Sequence, residues 1–294
     1  MHAGEVATSV ALARRLVARQ FPRWAGLPLA PVPSAGTDNA IYRLGDALAV
    51  RLPRIDWAIG QAEKEQRWLP RLSPWLPLRL PEVVALGAPD LGYPWPWAVY
   101  RWLEGENATA AGVDQPLAAV DMAHFLRALQ RIDPTGGPLA VDHGLRGAPL
   151  AGRDAAVRQA LAALADEIDT AAATAVWEEA LRAAVWDGAP VWFHGDLLPG
   201  NVLVSGGRPS AVIDWSGAGV GDPACDLLIA WSLFSGQSRA AFRAALGVDE
   251  ATWARGRGQA LAQAAIFIPY YRHTNPVGVA SARRALAAVL AGDP

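Results

Sequence analysis

Residues 192–215 read Trp-Phe-His-Gly-Asp-Leu-Leu-Pro-Gly-Asn-Val-Leu-Val-Ser-Gly-Gly-Arg-Pro-Ser-Ala-Val-Ile-Asp-Trp, the most informative stretch of the chain. Two apolar triplets, 202–204 and 211–213, flank the run 205–210, which is rich in glycine, serine and proline. Short apolar runs on either side of turn-forming residues are typical of a β-hairpin. The segment therefore predicts a two-stranded ribbon with polar residues at its open end.

The predicted hairpin brings Asn201 and Asp214 together. If residue 203 pairs with residue 212, Asn201 lies opposite Asp214, and opposed residues of an antiparallel pair have Cβ atoms about 4.5–5.5 Å apart. A carboxylate and an amide oxygen suit a hard cation such as Mg²⁺, which uses few protein ligands and takes phosphate oxygens for the rest. The hairpin thus predicts a metal–phosphate site.

Asp196 lies on the loop that enters the hairpin, five residues before Asn201. Phosphoryl transfer needs positioning, charge neutralisation by a metal ion, and one group that accepts the proton of the attacking hydroxyl. In the run His194-Gly195-Asp196, the aspartate is the candidate for that group. A single Asp or Asn near a Gly-Gly turn is usually a turn or cap residue, but turn chemistry alone does not readily produce the whole set at this spacing.

The remainder of the chain divides into a strand-rich part and a helical part. Before Gly105 short apolar runs alternate with turn residues, and after it apolar residues recur at helical spacing. We predict an α+β fold with a domain of residues 1–104, a linker at 99–105, and a second domain of residues 105–294. The predicted helices span about 6–21, 57–72, 116–132, 155–168, 172–185, 224–246, 250–267 and 280–290, and the predicted strands span 41–44, 47–52, 81–87 and 97–103.

Composition excludes several classes of protein. The formal charge is −2 over 294 residues, which gives no electrostatic basis for binding nucleic acid. Cys225 is the only cysteine, so an internal disulfide is impossible. Arginines interrupt the apolar pattern of residues 6–21, and no apolar run reaches the roughly 18 residues that a membrane span needs. We expect a soluble cytoplasmic protein that binds neither nucleic acid nor membranes.

The motif of residues 194–196, followed by Asn201 and then Ile213-Asp214-Trp215, closely resembles the aminoglycoside phosphotransferase family, within the two-lobed protein-kinase-like fold. The resemblance implies an ATP-dependent kinase for small molecules, with a β-rich N-terminal lobe that binds nucleotide and a mainly helical C-terminal lobe that binds substrate. It implies that Asp196 orients and deprotonates the acceptor hydroxyl, and that Asn201 and Asp214 bind Mg²⁺.

Residues 221–227 resemble the segment that follows in this family. By resemblance, Asp226 braces the backbone of the catalytic loop, and His194 belongs to the same structural support. A carboxylate at the N-terminus of a helix is the simpler interpretation of Asp226. Asp222 is interpreted only as a turn or cap residue.

The resemblance extends to the N-terminal lobe. Residues 34–39 take the place of the phosphate-covering loop, with Ser34 and Gly36 as nucleotide contacts. The strand at 50–53 carries Arg51 where the family commonly has a phosphate-contacting lysine. Arginine also pairs with phosphate and carboxylate, but as a planar fork rather than a point charge.

Two further nucleotide contacts follow from the family pattern. Glu65, four residues before Leu69, is expected to pair with Arg51, although a solvent-facing glutamate is the alternative. Residues 99–105 resemble the segment that links the lobes, where the backbone of Arg101 and Leu103 would bind the adenine edge.

The acceptor is less constrained, because the family phosphorylates hydroxyls of aminoglycosides, macrolides, choline, homoserine and other molecules. From residue 228 to residue 294, three acidic residues stand against seven arginines, which disfavours a pocket for a polycation built from this segment. Acidic residues at 166–169 and 178–179 are interpreted as solvated helix faces. Residues 267–275 mix aromatic and polar groups, and either line an acceptor cleft or form a helix end packed on the core.

Two other functions compete with the phosphorylation of a small molecule, such as an antibiotic or a metabolite. A nucleotide-binding pseudokinase without transfer activity is disfavoured by the intact set Asp196, Asn201 and Asp214, whereas Arg51 leaves it open. A metal-dependent hydrolase is disfavoured because no second histidine lies near His194 at ligand spacing.

Overall fold

The computed structural model describes residues 4–33, 36, 38–108, 110–139 and 146–292. Its contacts divide the chain into two compact units, residues 1–74 with 79–104 and residues 75–78 with 105–294. Among the described residues, no helix is both long and apolar enough to cross a membrane.

The first unit is built on a five-stranded antiparallel sheet. The strands, in sheet order β1-β2-β3-β5-β4, are β1 Leu29–Pro31, β2 Asn39–Leu44, β3 Leu48–Pro53, β5 Trp97–Arg101 and β4 Val83–Gly87. The predicted hairpin of β2 and β3 is present, with Leu44 opposite Leu48 and Gly45 at a φ of +59° in its turn. Helix α1 (Val10–Gln20) covers this hairpin through a shared apolar core.

Both helices of this unit begin later than the sequence predicted. Helix α1 starts at Val10 rather than residue 6, because the hydroxyl of Ser9 accepts the N–H of Leu12 and caps the helix. Helix α2 spans Gln61–Leu72, since Gly60, at a φ of +82°, separates it from a 3₁₀ turn at Asp56–Ala58.

The second unit is mainly helical. Its helices are α3 Ala110–Val113, α4 Pro116–Gln130, α5 Asp154–Ala162, α6 Thr170–Arg182, α7 Ile229–Ser232, α8 Gly236–Leu246, α9 Glu250–Tyr271 and α10 Pro276–Leu290. Helix α9 packs against α5, α6 and α10, and α4 packs against α8. Two small antiparallel sheets join them: β6 Glu106–Asn107 with β8 Val202–Ser205 and β9 Arg208–Val212, and β7 Val191–Phe193 with β10 Gly219–Gly221.

Several predicted helix boundaries in this unit were wrong. The helix predicted at 224–246 is a 3₁₀ segment, Pro223–Leu228, followed by α7 and α8, and α8 begins at Gly236, which has a φ of +45°. Helix α5 ends at Ala162 rather than at residue 168, and α9 continues through Pro269 to Tyr271. The α+β class is confirmed, with strands concentrated in the first unit and helices in the second.

Candidate active site

The loop after β7 is held by a buried carboxylate. Asp226 is 1% exposed, and its two oxygens accept the backbone N–H groups of His194 (2.6 Å) and Gly195 (2.8 Å). Burial raises the pKa of Asp226, while these two N–H donors act in the opposite direction. The side chain therefore fixes the backbone at the start of the loop, as its predicted bracing role requires.

His194 links this loop to the end of the hairpin. Its fully buried ring contacts the carbonyl of Ile213 through Nε2 (3.0 Å), while Nδ1 lies 3.2 Å from the backbone nitrogen of Asp196. Because the Asp196 N–H donates to Nδ1, the proton of a neutral ring lies on Nε2 and donates to Ile213. Burial lowers the pKa of His194 and favours this neutral form. The ring also meets Trp215 edge-on at 4.8 Å between centroids.

Gly195 is required by the conformation of the loop. Its φ is +83°, and a Cβ placed there would lie 2.4 Å from the carbonyl oxygen of Gly217. Only glycine combines this backbone conformation with so close an approach of another chain segment.

Asn201 holds Asp196 in place from across the loop. The Nδ2 group of Asn201 donates to the backbone carbonyl of Asp196 (2.8 Å) and to its Oδ2 (3.1 Å). The side chain of Asp196 remains 22% exposed. Because its amide nitrogen is engaged in this way, Asn201 can turn its Oδ1 toward a ligand on the other side.

The hairpin is present, but its predicted register was wrong by one residue. Residues 203 and 211 pair, and the N–H of Ile213 donates to the carbonyl of Asn201 at 2.8 Å. The shift arises because the turn is a tight Gly206-Gly207 pair, both at positive φ, which by itself would pair residue 203 with residue 210. One extra residue in β9, opposite the step from Leu203 to Val204, moves the partner back to residue 211.

Asp214 comes directly after the paired residues, in a left-handed conformation with φ +60° and ψ +70°. Non-glycine residues adopt this conformation at a cost and cluster at functional sites. Asp214 also contributes to the electrostatic environment of His194. Its role as a metal ligand beside Asn201 stays a prediction.

Arg146 is a site residue that sequence reasoning missed. Its Nη2 lies 3.5 Å from Oδ1 of Asp196, and a Cβ on Gly217 would lie 2.4 Å from its Nη1. The absence of a side chain at Gly217 therefore makes room for the guanidinium. No motif pointed to Arg146, since it lies 50 residues before Asp196.

Asp222 does more than cap a turn. Its carboxylate accepts the N–H of Ala224 (2.9 Å) and forms a buried ion pair with Arg255, at 2.7 Å from Nε and 3.1 Å from Nη2. The pair borders a cavity of about 220 Å³ whose walls include Leu150 and Trp186. Asp196, Asn201 and Asp214 do not line this cavity.

In the first unit, Arg51 and Glu65 form the expected ion pair. Nη1 of Arg51 lies 3.1 Å from Oε2 of Glu65, and its Nη2 donates to Gln61 at 2.6 Å. The Tyr100 hydroxyl donates to the same carboxylate at 2.6 Å, and burial raises the pKa of Tyr100, which keeps the phenol protonated. The solvent-facing alternative for Glu65 is wrong, because that residue is 1% exposed.

The structure supports the other predicted nucleotide contacts less fully than the pair of Arg51 and Glu65. Ser34 lies outside the described residues, while Gly36 lies within them. The N–H of Arg101 donates to the carbonyl of Glu82 inside the sheet (2.9 Å), so only its carbonyl could bind adenine. Leu103 follows the end of β5. The nucleotide roles of these residues stay predictions.

The arginines after residue 228 are not one exposed positive surface. Arg239 is buried and donates to the carbonyls of Ala230 and Phe234, and Arg255 is buried with Asp222. Glu167 binds Arg272 at 2.5 Å and also pairs with Arg283. Glu167 is exposed, as predicted, but it lies after the end of α5 rather than on a helix face.

Known proteins resemble this chain along most of its length. The model of the phosphotransferase enzyme family matches residues 30–261. No curated protein matches the chain. The GDP complex of wild-type aminoglycoside 2'-phosphotransferase-IIIa superposes with a TM-score of 0.73 at 15% identity, over 97% of this chain and 99% of the other. Macrolide 2'-phosphotransferase MphH from Brachybacterium faecium superposes with a TM-score of 0.60 at 25% identity, over 97% and 98%. A GDP and kanamycin complex of an aminoglycoside phosphotransferase gives a TM-score of 0.72 at 18% identity, over 94% and 97%.

Proposed function

The chain belongs to the phosphotransferase enzyme family, and we propose that it transfers the γ-phosphoryl group of ATP to a hydroxyl of a small molecule. The resemblance drawn from the motif around Asp196 and the protein-kinase-like fold are both confirmed. The observation that carries the proposal is the contact of Asn201 with Asp196, on a loop braced by Asp226. A pseudokinase gains no support from these neighbours.

Asp196 is the proposed base. Its carboxylate is partly exposed and oriented by Asn201, so an acceptor hydroxyl can approach it. In the transfer, the bond between the γ-phosphorus and the β,γ-bridging oxygen breaks, and a new bond forms to the acceptor oxygen. Asp196 takes the hydroxyl proton and ADP leaves. The protein contributes position and charge rather than a covalent intermediate.

Asn201 and Asp214 are the proposed Mg²⁺ ligands. The amide nitrogen of Asn201 donates to Asp196, which leaves the amide oxygen for a cation. Asp214 supplies a carboxylate from the end of the hairpin. This small oxygen donor set fits Mg²⁺, which completes its shell with water and phosphate oxygens. When bound, the ion would neutralise charge on the transferring phosphate.

Residues 1–104, with a linker at 99–105, form the proposed nucleotide-binding lobe. Residues 105–294 form the proposed catalytic and substrate-binding lobe. The fold neighbours include GDP and ADP complexes. Arg51 is held by Glu65 and Gln61, so its guanidinium is already ordered for contact with a nucleotide phosphate. Ser34 and Gly36 would cover the phosphates, and the carbonyl of Arg101 and the backbone of Leu103 would bind adenine.

The acceptor is proposed to be a hydroxylated antibiotic or metabolite. One neighbour is a kanamycin complex and another is a macrolide phosphotransferase, and modification of such an antibiotic would confer resistance. We place the reaction in the cytoplasm, where ATP and Mg²⁺ are available, with no role for nucleic acid or membranes.

The test is phosphate transfer from labelled ATP to a panel of aminoglycosides, macrolides, amino alcohols, sugars and hydroxy acids. Asp196→Ala is expected to lower kcat by about 10²–10⁴-fold, the usual contribution of general acid–base catalysis, with the Kd for Mg-ATP within threefold of wild type. Asp166→Ala, at an exposed aspartate outside the site, is the matched control. Full turnover by Asp196→Ala would show that another group is the base.

A further inference from the structure

The guanidinium of Arg51 is contacted through three different nitrogens. Its Nη1 lies 3.1 Å from Oε2 of Glu65, and its Nη2 lies 2.6 Å from Oε1 of Gln61. One terminal atom of the Asn39 amide lies 2.9 Å from Nη2 and 3.1 Å from Nε. These contacts are spread along a planar fork, whereas the ammonium of a lysine is a single point. The set therefore fits the arginine of this chain rather than a lysine.

The amide oxygen of Asn39 is the atom that faces Arg51. A guanidinium has only donors, so an NH₂ group at the same place would meet two N–H groups, at Nη2 and at Nε. That orientation would gain one hydrogen bond, to Oε1 of Gln61 at 3.1 Å, and would lose two. Oδ1 of Asn39 therefore accepts from Arg51, and the positive charge of the donor strengthens both bonds.

The register of β2 and β3 places Asn39 beside Arg51. Ile41 pairs with Arg51, and Asn39 pairs with Pro53, so Asn39 and Arg51 are diagonal neighbours on one face of the hairpin. The other face of the hairpin packs in the core under α1. Asn39 is also the last residue of the segment 34–39 that resembles the phosphate-covering loop.

Helix α2 supplies the other two acceptors from one of its faces. Gln61 and Glu65 are four residues apart, a spacing that brings two side chains together on a helix. The hydroxyl of Tyr100 donates to Oε2 of Glu65 at 2.6 Å, and its ring centroid lies 5.9 Å from the guanidinium carbon of Arg51. The guanidinium is therefore held between the start of β2 and the face of α2.

We propose that Asn39 is a positioning residue for the nucleotide: with Gln61, it fixes the plane of the Arg51 guanidinium and so adapts the site to arginine in place of lysine. This inference rests on the proposed function, in which Arg51 contacts nucleotide phosphate. A guanidinium binds phosphate through paired N–H groups, which requires a defined plane. An ammonium has no plane to fix, so Asn39 matters only when residue 51 is arginine.

The test is a double-mutant cycle of Asn39→Ala and Arg51→Lys, with the Kd of the nonhydrolysable analogue AMP-PNP and Mg²⁺ measured by calorimetry. We expect Asn39→Ala alone to weaken binding about three- to tenfold, the size of one hydrogen bond. In the Arg51→Lys background the same change should weaken binding less than about twofold. Adenosine, which has no phosphate, should bind all four proteins equally.

Gln61→Met and Gln66→Met form a matched pair on α2. Both changes replace an amide with an apolar side chain of similar length, but Gln66 is exposed whereas Gln61 donates its oxygen to the contact with Arg51. Gln61→Met should weaken binding of Mg²⁺ and AMP-PNP about threefold or more, and should lose this effect in the Arg51→Lys background. Gln66→Met should leave binding unchanged.

Three results would overturn the proposal: the same loss from Asn39→Ala in both backgrounds, an equal loss of adenosine binding, or no loss at all. If the wild-type protein bound no nucleotide, the proposed function would fail instead, and the urea midpoints of the same four proteins would decide about Asn39. Additive shifts from Asn39→Ala and Arg51→Lys would then overturn the contact between the two residues, and non-additive shifts would leave it standing.

Discussion

One buried carboxylate stabilises the proposed catalytic loop and another stabilises the proposed nucleotide-phosphate contact, and they do so in different ways. Asp226 and Glu65 are each 1% exposed. Asp226 accepts two backbone N–H groups of the catalytic loop. Glu65 instead accepts side-chain donors, from Arg51 and from the hydroxyl of Tyr100.

The difference lies in what each carboxylate fixes. A carboxylate bound to two successive N–H groups sets the course of the main chain, and no change of neighbouring side chain can substitute for it. A carboxylate bound to a guanidinium and a phenol positions side chains, which can be exchanged for others of like charge. The catalytic loop should therefore tolerate fewer substitutions than the cluster of Arg51, Gln61, Glu65 and Tyr100.

The sharpest test of the backbone side of this comparison is Gly195→Ala. The new Cβ would lie 2.4 Å from the carbonyl oxygen of Gly217, at a φ of +83°. Overpacking and the left-handed conformation together should lower the free energy of unfolding by about 3 kcal/mol or more, and kcat should fall with it. Urea unfolding and steady-state kinetics measure the two effects.

Gly206→Ala is the matched control for Gly195→Ala. Gly206 has a φ of +60° with nothing within 4 Å of a Cβ, so it bears the conformational cost alone, about 1–2 kcal/mol. Equal losses in the two variants would mean that the approach of Gly217 does not constrain the loop.

Asp226→Asn should have the next largest effect. The amide has one acceptor oxygen in place of two, so one buried N–H of His194 or Gly195 loses its partner, at about 1–3 kcal/mol. Because the loop positions Asp196, kcat should fall at least tenfold in the folded protein. Chemical denaturation and kinetics below the transition check both.

The control for Asp226→Asn is a variant that should lose stability without losing activity. Asp249→Ala removes the carboxylate that caps α9 by accepting the N–H of Thr252, at a cost of about 1 kcal/mol, and kcat should stay as in wild type. If Asp226→Asn behaves in the same way, its carboxylate supports the fold and not the catalytic loop.

The sequence predicted what depends on neighbours along the chain. The hairpin after Asn201 follows from two apolar runs around Gly206-Gly207, and the catalytic loop follows from residues that lie within eight positions of each other. The register was missed because the turn is the pair Gly206-Gly207, earlier than the predicted pairing of 203 with 212 requires, and the extra residue in β9 makes up only part of the difference. Helix starts were missed where a single residue, Ser9 or Gly60, decides them.

The sequence could not supply contacts between distant segments. Arg146 meets Asp196 across 50 positions, and Asp222 meets Arg255 across 33. Neither Arg146 nor Arg255 has a neighbouring motif. Arg255 was counted among the seven arginines of residues 228–294 and was not expected to form a buried ion pair. Such pairings are set by how helices and loops pack, which a single sequence does not encode at any fixed spacing.

The smallest expected effect belongs to Arg51→Lys, which tests the side-chain half of the comparison. Arg51→Lys keeps a charge beside Glu65 but cannot also reach Gln61, so we expect the KM for ATP to rise less than tenfold and kcat to hold. Arg51→Met leaves Glu65 buried without its cation, at about 3–5 kcal/mol for a broken buried pair, and should raise the KM for ATP much further. Arg43→Met is the control, because Arg43 is paired with the exposed Glu104 on the same sheet, where an ion pair contributes about 0–1 kcal/mol. If lysine at position 51 were as damaging as methionine, the cluster would demand one particular side chain, and the distinction between a fixed backbone and an exchangeable side chain would fail.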